Sequence, residues 1–249
     1  MQWTGNLRVH LAFEILGYLA GAAVYAISRI RSGDVVPDRD RATVLTGAAL
    51  GAGIGARLLF VLSMPGAGFF GGKTVVGGLL GGLIGVELAK KWKGITTSTG
   101  DLFVFPLMTA MAIGRLGCFL AGPIDKTAGL PTSLPWGIAI ADGVPRHPVA
   151  LYEIAFLIAL GIGLKWRDRA LRAGDRFRIF LASYLLFRFA VDFLKPDPPP
   201  IALGLSAIQW ACLAGLLYYS LVLTNANRNA SLPFLRRRRL DLHDVLSQD

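Results

Sequence analysis

Seven apolar stretches recur along the chain, at roughly 9–29, 43–63, 74–91, 102–121, 148–165, 178–195 and 201–224. Each is close to the ~20 residues that an α-helix needs to cross the hydrocarbon core of a bilayer. In that medium the backbone must satisfy its own hydrogen bonds, which helices do within one segment. The chain is therefore expected to be all-α, a polytopic membrane protein with about seven transmembrane helices. Composition agrees. Of its 249 residues 53% are hydrophobic and 17% charged, against about 25% charged in an average soluble domain. The mean hydropathy is +0.53. In the first stretch His10 and Glu14 interrupt the apolar run, which is poor chemistry for a cleaved signal peptide, so it reads as a retained helix. Cys118 and Cys212 both lie in apolar stretches, which argues against a disulfide framework.

The net charge of +10 is distributed as a membrane orientation signal. Lysine and arginine accumulate in cytoplasmic loops. With the N-terminus outside, 18 of the 26 basic residues fall in inner loops or the C-terminal tail, five fall outside, and Arg57, Arg115 and Arg188 sit within spans. This places the C-terminus in the cytoplasm and makes nucleic acid an unsuitable partner. Residues 1–224 form the membrane domain, and 225–249 form a basic cytoplasmic tail that also touches anionic membrane lipids.

Two spans carry glycine at four-residue spacing, Gly47, Gly51 and Gly55, then Gly77, Gly81 and Gly85. Small residues at that interval allow close helix approach, so spans two and three are expected to pack tightly. The absence of a convincing internal repeat counts against a transporter built from duplicated halves.

An ionisable residue inside a span is costly and is by default a functional hypothesis. The proposed orientation sets Glu14, Arg57, Arg115, His147, Tyr152, Glu153 and Arg188, from five helices, at one level below the external surface. In span six Tyr184, Arg188, Asp192 and Lys195 follow helical spacing and form one polar stripe, with Asp192 one turn from Arg188. One reading is that Glu14, Glu153 and Asp192 merely neutralise the arginines and hold helices together. Three guanidinium groups at one depth point instead to a hydrated polar cavity. Guanidinium suits phosphate oxygens, and the phosphate most accessible there is a phospholipid headgroup. His147 could move a proton near neutral pH or act as an orienting group. Between spans four and five, residues 122–147 are rich in turn-forming Pro and Gly and contain "WGIAIA", a possible short strand. They are expected to form a small external cap over the cavity mouth.

"GRLGCF" (114–119) followed by "RHPVALYE" (146–153) resembles the prolipoprotein diacylglyceryl transferase family. "GARLLFVL" (55–62), "GGLIGV" (81–86), "YLLFRFAVDFLKPD" (184–197) and, more weakly, "GLSAIQW" (204–210) match in the same order. The resemblance implies an enzyme of the bacterial inner membrane whose active side faces the periplasm. It would move diacylglycerol from phosphatidylglycerol to the lipobox cysteine thiol of a preprolipoprotein signal peptide, releasing glycerol phosphate. The family's two essential arginines map onto Arg115 and Arg188, its tyrosine onto Tyr184, and its following acidic and basic residues onto Asp192 and Lys195. The chain departs from the pattern at Cys118, Ala121 and Pro123, where the family has two asparagines and a glutamate, and at Leu80, where it has a histidine.

On this reading Arg115 and Arg188 hold the phosphodiester and stabilise charge on the departing group. The attacking thiol must lose its proton, and His147 or Glu153 could take it. Tyr184, Asp192, Lys195, Arg57, Tyr152 and Glu14 contact the substrate or orient the arginines. No metal or other cofactor is required. The alternative is a non-catalytic or repurposed phospholipid-binding membrane protein of the same fold.

Overall fold

The computed structural model describes residues 7–33, 36–122, 128–139, 143–196 and 198–220. Seven α-helices occur among them. They are α1 (Leu7–Ser32), α2 (Asp38–Ser63), α3 (Val75–Lys93), α4 (Val104–Ala121), α5 (Val149–Trp166), α6 (Asp175–Asp192) and α7 (207–220). Four helical stretches, Arg8–Arg31, Asp38–Ser63, Gly100–Ala121 and Val149–Trp166, are long and apolar enough to cross a membrane. The only strands among the described residues are two short antiparallel ribbons. One joins β1 (Ile138–Ala139) to β2 (Pro145–Arg146), and the other joins β3 (Pro200–Ala202) to β4 (Leu205–Ser206). "WGIAIA" thus does supply a strand. The tail 225–249 lies outside the described residues.

Several helix ends differ from the expected spans, α2 for one beginning at Asp38, and two of them bear on the site. Residues 200–206 form a hairpin, and α7 begins only at 207. Its turn has positive φ at Leu203 (50°) and Gly204 (72°), the combination that lets a two-residue loop match strand twist. Helix α6 stops at Asp192, so Lys195 lies beyond the helix and the polar stripe ends one turn earlier than its spacing suggested.

The glycine spacing of α2 and α3 is used for close packing. A Cβ added at Gly47, Gly51 or Gly55 would fall 2.2–2.6 Å from the carbonyl oxygens of Gly85, Gly81 and Gly77 respectively. The register is antiparallel, and backbone meets backbone with no side chain between them. Helices α1 and α4 form the other close pair, with Gly17 and Gly21 against Ala110 and Pro106.

Helix α6 is the best-buried element. Phe180, Leu181, Tyr184 and Leu185 have no exposed surface, and they pack with Val104, Met108, Leu157 and Cys212 in the main core. Large apolar side chains such as Leu19, Leu62, Leu88 and Ile158 are instead exposed along the outer faces. Exposed apolar rows of this kind suit hydrocarbon rather than water. Tyr184, Arg188 and Asp192 all lie on the buried face of α6.

Candidate active site

Two guanidinium groups and two carboxylates meet where α4, α5 and α6 come together. Arg115 Nε contacts Glu153 Oε2 at 2.8 Å, and the carboxylate is 1% exposed. The other oxygen, Oε1, accepts a 2.8 Å hydrogen bond from Tyr184 Oη. One turn along α6, Arg188 Nη2 donates to Asp192 Oδ1 at 2.9 Å. Arg188 stands close enough to Glu153 to feel its charge, and Lys195, though off the helix, stands in the same field as both arginines.

This arrangement is net cationic. Among the described residues, Arg115, Arg188 and Lys195 face Glu153 and Asp192, three basic groups against two carboxylates. In addition, Arg188 Nη1 is buried without a hydrogen-bond partner among the described residues. A buried donor left unsatisfied costs roughly 1–3 kcal/mol, and more when charged. Its natural complement is an anion with more than one oxygen.

The carboxylate of Asp192 is held from α7. Ser206 Oγ donates to Asp192 Oδ2 at 2.6 Å and accepts from Gln209 N at 3.1 Å. The Gln209 side chain accepts from Ser206 N at 2.9 Å and donates to Phe189 O at 3.3 Å. This is a reciprocal capping box at the start of α7, with the cap's hydroxyl proton directed to the site. The sequence reading assigns no role to Ser206 or Gln209. The S-x-x-Q spacing before an apolar run was the signal available.

Tyr152 is the sequence neighbour of Glu153 on α5, and His147 meets Tyr152. His147 Nδ1 lies 3.1 Å from Tyr152 Oη, and that oxygen also accepts from Trp136 Nε1 at 2.9 Å. His147 is positioned by the β1–β2 ribbon and the segment that pairs with it. Its N–H donates to Leu130 O at 3.1 Å, its carbonyl accepts from Gly129 N at 2.9 Å, and Leu130 N donates to Leu194 O at 2.7 Å. Gly129 is required for this approach, since a Cβ there would fall 2.7 Å from His147 Cβ and 2.8 Å from Leu194 O.

Arg57 and Glu14 make their contacts elsewhere. Arg57 Nη1 reaches Phe69 O at 3.4 Å and lies over the Phe70 ring, 4.8 Å from its centroid. Glu14 accepts from Tyr18 Oη at 2.8 Å and pairs with Lys73. Both thus contact the connection between α2 and α3. Among the substituted positions, Ala121 and Cys118 are buried, while Pro123 lies outside the described residues. Leu80 packs beside α7, where a Cβ on Gly215 would meet it at 3.0 Å. No group of three or more potential metal ligands occurs among the described residues.

A multi-pass helical membrane protein with a buried, net-cationic guanidinium–carboxylate cluster is the class that fold and site define. The sequence model of the prolipoprotein diacylglyceryl transferases matches residues 5–224, and the chain belongs to that family. It is similar to the phosphatidylglycerol–prolipoprotein diacylglyceryl transferases of several bacteria. It is 34% identical to that of Geobacter sulfurreducens, over 80% of this chain and 83% of the relative. The Bordetella bronchiseptica protein is also 34% identical, over 86% of this chain and 89% of the relative. The Leifsonia xyli protein is 29% identical, over 91% and 78% respectively.

Proposed function

We propose that the chain transfers the diacylglyceryl group of phosphatidylglycerol to the lipobox cysteine thiol of a preprolipoprotein. The observation that carries this reading is Arg188 Nη1, a buried guanidinium nitrogen without a hydrogen-bond partner among the described residues, in a cluster where three basic groups face two carboxylates. A phosphodiester carries one negative charge and two free oxygens, which suits such a cluster in both charge and donor number.

In the transfer, the thiolate sulfur attacks the glyceryl carbon that carries the phosphate. A C–S bond forms, the C–O bond breaks with its electron pair going to oxygen, and glycerol phosphate departs. The leaving group gains negative charge as the bond breaks, and fixed guanidinium donors stabilise that change more than they stabilise the bound diester. Arg188 supplies the open donor. Arg115 supplies the remainder of its fork, its Nε being committed to Glu153.

The thiol's proton goes most readily to His147. Glu153 is fully engaged by Arg115 and Tyr184, so protonating it would break two interactions in a dry site. His147 Nε2 has no partner among the described residues, while Nδ1 faces Tyr152 Oη. When Nδ1 carries the ring proton and donates to that oxygen, Nε2 is free to accept. Tyr152 and Trp136 therefore serve as the group that orients the ring. Lys195, Asp192 and Tyr184 position the arginines. Arg57 and Glu14 take a more peripheral part at the α2–α3 connection.

The excess of basic residues on one side orients this site toward the outer face of the bacterial inner membrane. The external ribbon acts as the cap that brings His147 to the mouth. The test is transfer of radiolabelled lipid from phosphatidylglycerol to a lipobox peptide by the purified protein. Thioether product that disappears in Arg115→Ala and Arg188→Ala supports the reading. Headgroup binding with no product in the wild type would overturn it.

A further inference from the structure

A cavity lies at the other end of the bundle. It is bounded by α2, α3, α4, α6, α7 and the connection between α3 and α4, and shares no residue with the cluster of Arg115 and Arg188. Its volume is about 340 Å³, within the range of small-ligand sites. Glu87, Lys90, Ser98, Thr99 and Arg178 line one end. Ala48, Ala52, Gly78 and Gly82 line the other.

The polar end is built around a buried cation. Lys90 is 7% exposed, yet its ammonium, with three donors, has one partner among the described residues, Glu87 Oε1 at 2.9 Å. Arg178 pairs with Asp175 at 3.3 Å outside the lining. Within the lining, two cations face one carboxylate.

The apolar end is explained by glycines that helix packing does not need. Gly77, Gly81 and Gly85 meet α2 backbone so closely that a Cβ would fall 2.0–2.3 Å from a carbonyl oxygen. Gly78 and Gly82, one position further round α3, do not. A Cβ at Gly78 would first meet Ala56 Cβ at 3.7 Å, and one at Gly82 would meet Ala48 O at 3.5 Å. Those are ordinary contacts, and the space that larger side chains would fill there is cavity. From Gly78 to Lys90 the lining runs twelve residues along α3, about 18 Å, close to half of a ~30 Å hydrocarbon core.

We propose that this cavity is a second lipid site. An anionic phospholipid from the leaflet on the basic side lays an acyl chain along Gly78 and Gly82 and sets its phosphate against Lys90 and Arg178. Lys91 and Lys93 on the same helix end add to the attraction for an anionic headgroup. The site is distinct from the transfer centre and does not depend on what reaction occurs there.

The experiment is native mass spectrometry of delipidated protein titrated with phosphatidylglycerol, and in parallel with inorganic phosphate. The expected wild-type result is two bound lipids, one of which persists in Arg188→Ala. Lys90→Gln with Arg178→Gln should weaken that persistent lipid by about tenfold or more, the cost of losing hydrogen bonds to charged groups. Gly82→Leu should exclude it by filling the tail channel, and Gly82→Ala, whose methyl makes only ordinary contacts, should retain it. Ala52→Phe offers a second obstruction should Gly82→Leu fail to fold. An unchanged lipid count in folded charge and obstruction variants overturns the proposal. Inorganic phosphate binding as tightly as lipid, with obstruction without effect, overturns it in favour of a free anion.

Discussion

Ser206 donates its hydroxyl proton to Asp192 across 2.6 Å, tying the first turn of α7 to the last turn of α6. That bond holds the Asp192 carboxylate so that its other oxygen meets Arg188. Ser206→Ala removes both this donor and the helix cap that accepts from Gln209 N. Cap loss alone costs about 1 kcal/mol, and an under-satisfied buried carboxylate adds about 1–3 kcal/mol. Gln209→Ala also weakens the capping box but leaves Ser206 bonded to Asp192. In a transfer assay Ser206→Ala is expected to raise KM for phosphatidylglycerol, while Gln209→Ala loses stability with KM little changed. Equal KM for the two variants would remove Ser206 from the positioning of Arg188.

Glu153 is held from two helices, by Arg115 on α4 and Tyr184 on α6. Glu153→Gln leaves a buried guanidinium without its counter-ion, expected to cost about 3–5 kcal/mol. Tyr184→Phe removes one hydrogen bond to a charged group, about 1.5–3 kcal/mol. Thermal unfolding in detergent should therefore rank Glu153→Gln well below Tyr184→Phe, with the wild type above both.

Arg188→Lys keeps the positive charge but loses the planar fork that satisfies Asp192 with one nitrogen and presents the other, Nη1, with no partner among the described residues. Lysine at a two-pronged site is not a conservative change. Loss of one preformed donor to developing charge typically costs on the order of 100-fold in rate, and a fall of that order in kcat is expected. Retention of wild-type kcat would mean that charge alone suffices at this position.

How far the sequence carried depended on which coordinate was being read. A run of apolar residues records position along a helix, so the seven helices were legible at nearly their observed bounds. The pairing of Arg188 with Asp192 was legible too, because four residues make one helical turn. Rotation about the helix axis was not. Glu14 and Arg57 shared an expected level with Arg115, yet both face the α2–α3 connection, and nothing in a one-dimensional pattern encodes that direction. Likewise Arg115 and Glu153 come from different helices, and their contact depends on how α4 packs on α5. The hairpin at 200–206 was absorbed into the last span because its residues are apolar. Its Leu203–Gly204 turn was the overlooked signal.

Backbone contact between α2 and α3 gives a stability test with an internal control. A methyl group at Gly81 would fall 2.3 Å from Gly51 O, so Gly81→Ala must push the helices apart. Gly53, on the same helix as Gly51, has nothing within 4 Å of an added Cβ. Gly53→Ala is expected to be neutral or to stabilise by up to about 1 kcal/mol through helix propensity. Gly81→Ala is expected to destabilise by about 1–3 kcal/mol, the usual cost of overpacking. Equal unfolding temperatures for the two variants would contradict the close approach.

His147 and Tyr152 give the test of proton transfer. The imidazole is fixed by backbone bonds on both sides of residue 147, and its Nδ1 faces a tyrosine oxygen that already accepts from Trp136. If His147 takes the thiol's proton, transfer must slow as the ring becomes protonated, and the acidic limb of the rate–pH profile belongs to it. His147→Asn is expected to abolish that limb and to lower kcat by about 100- to 10,000-fold, the usual contribution of a general base. Tyr152→Phe removes the group that orients the ring without removing the base, so the limb should persist at reduced rate. A His147→Asn enzyme with the wild-type profile would assign the proton to another acceptor and leave His147 as a brace between the ribbon and α5.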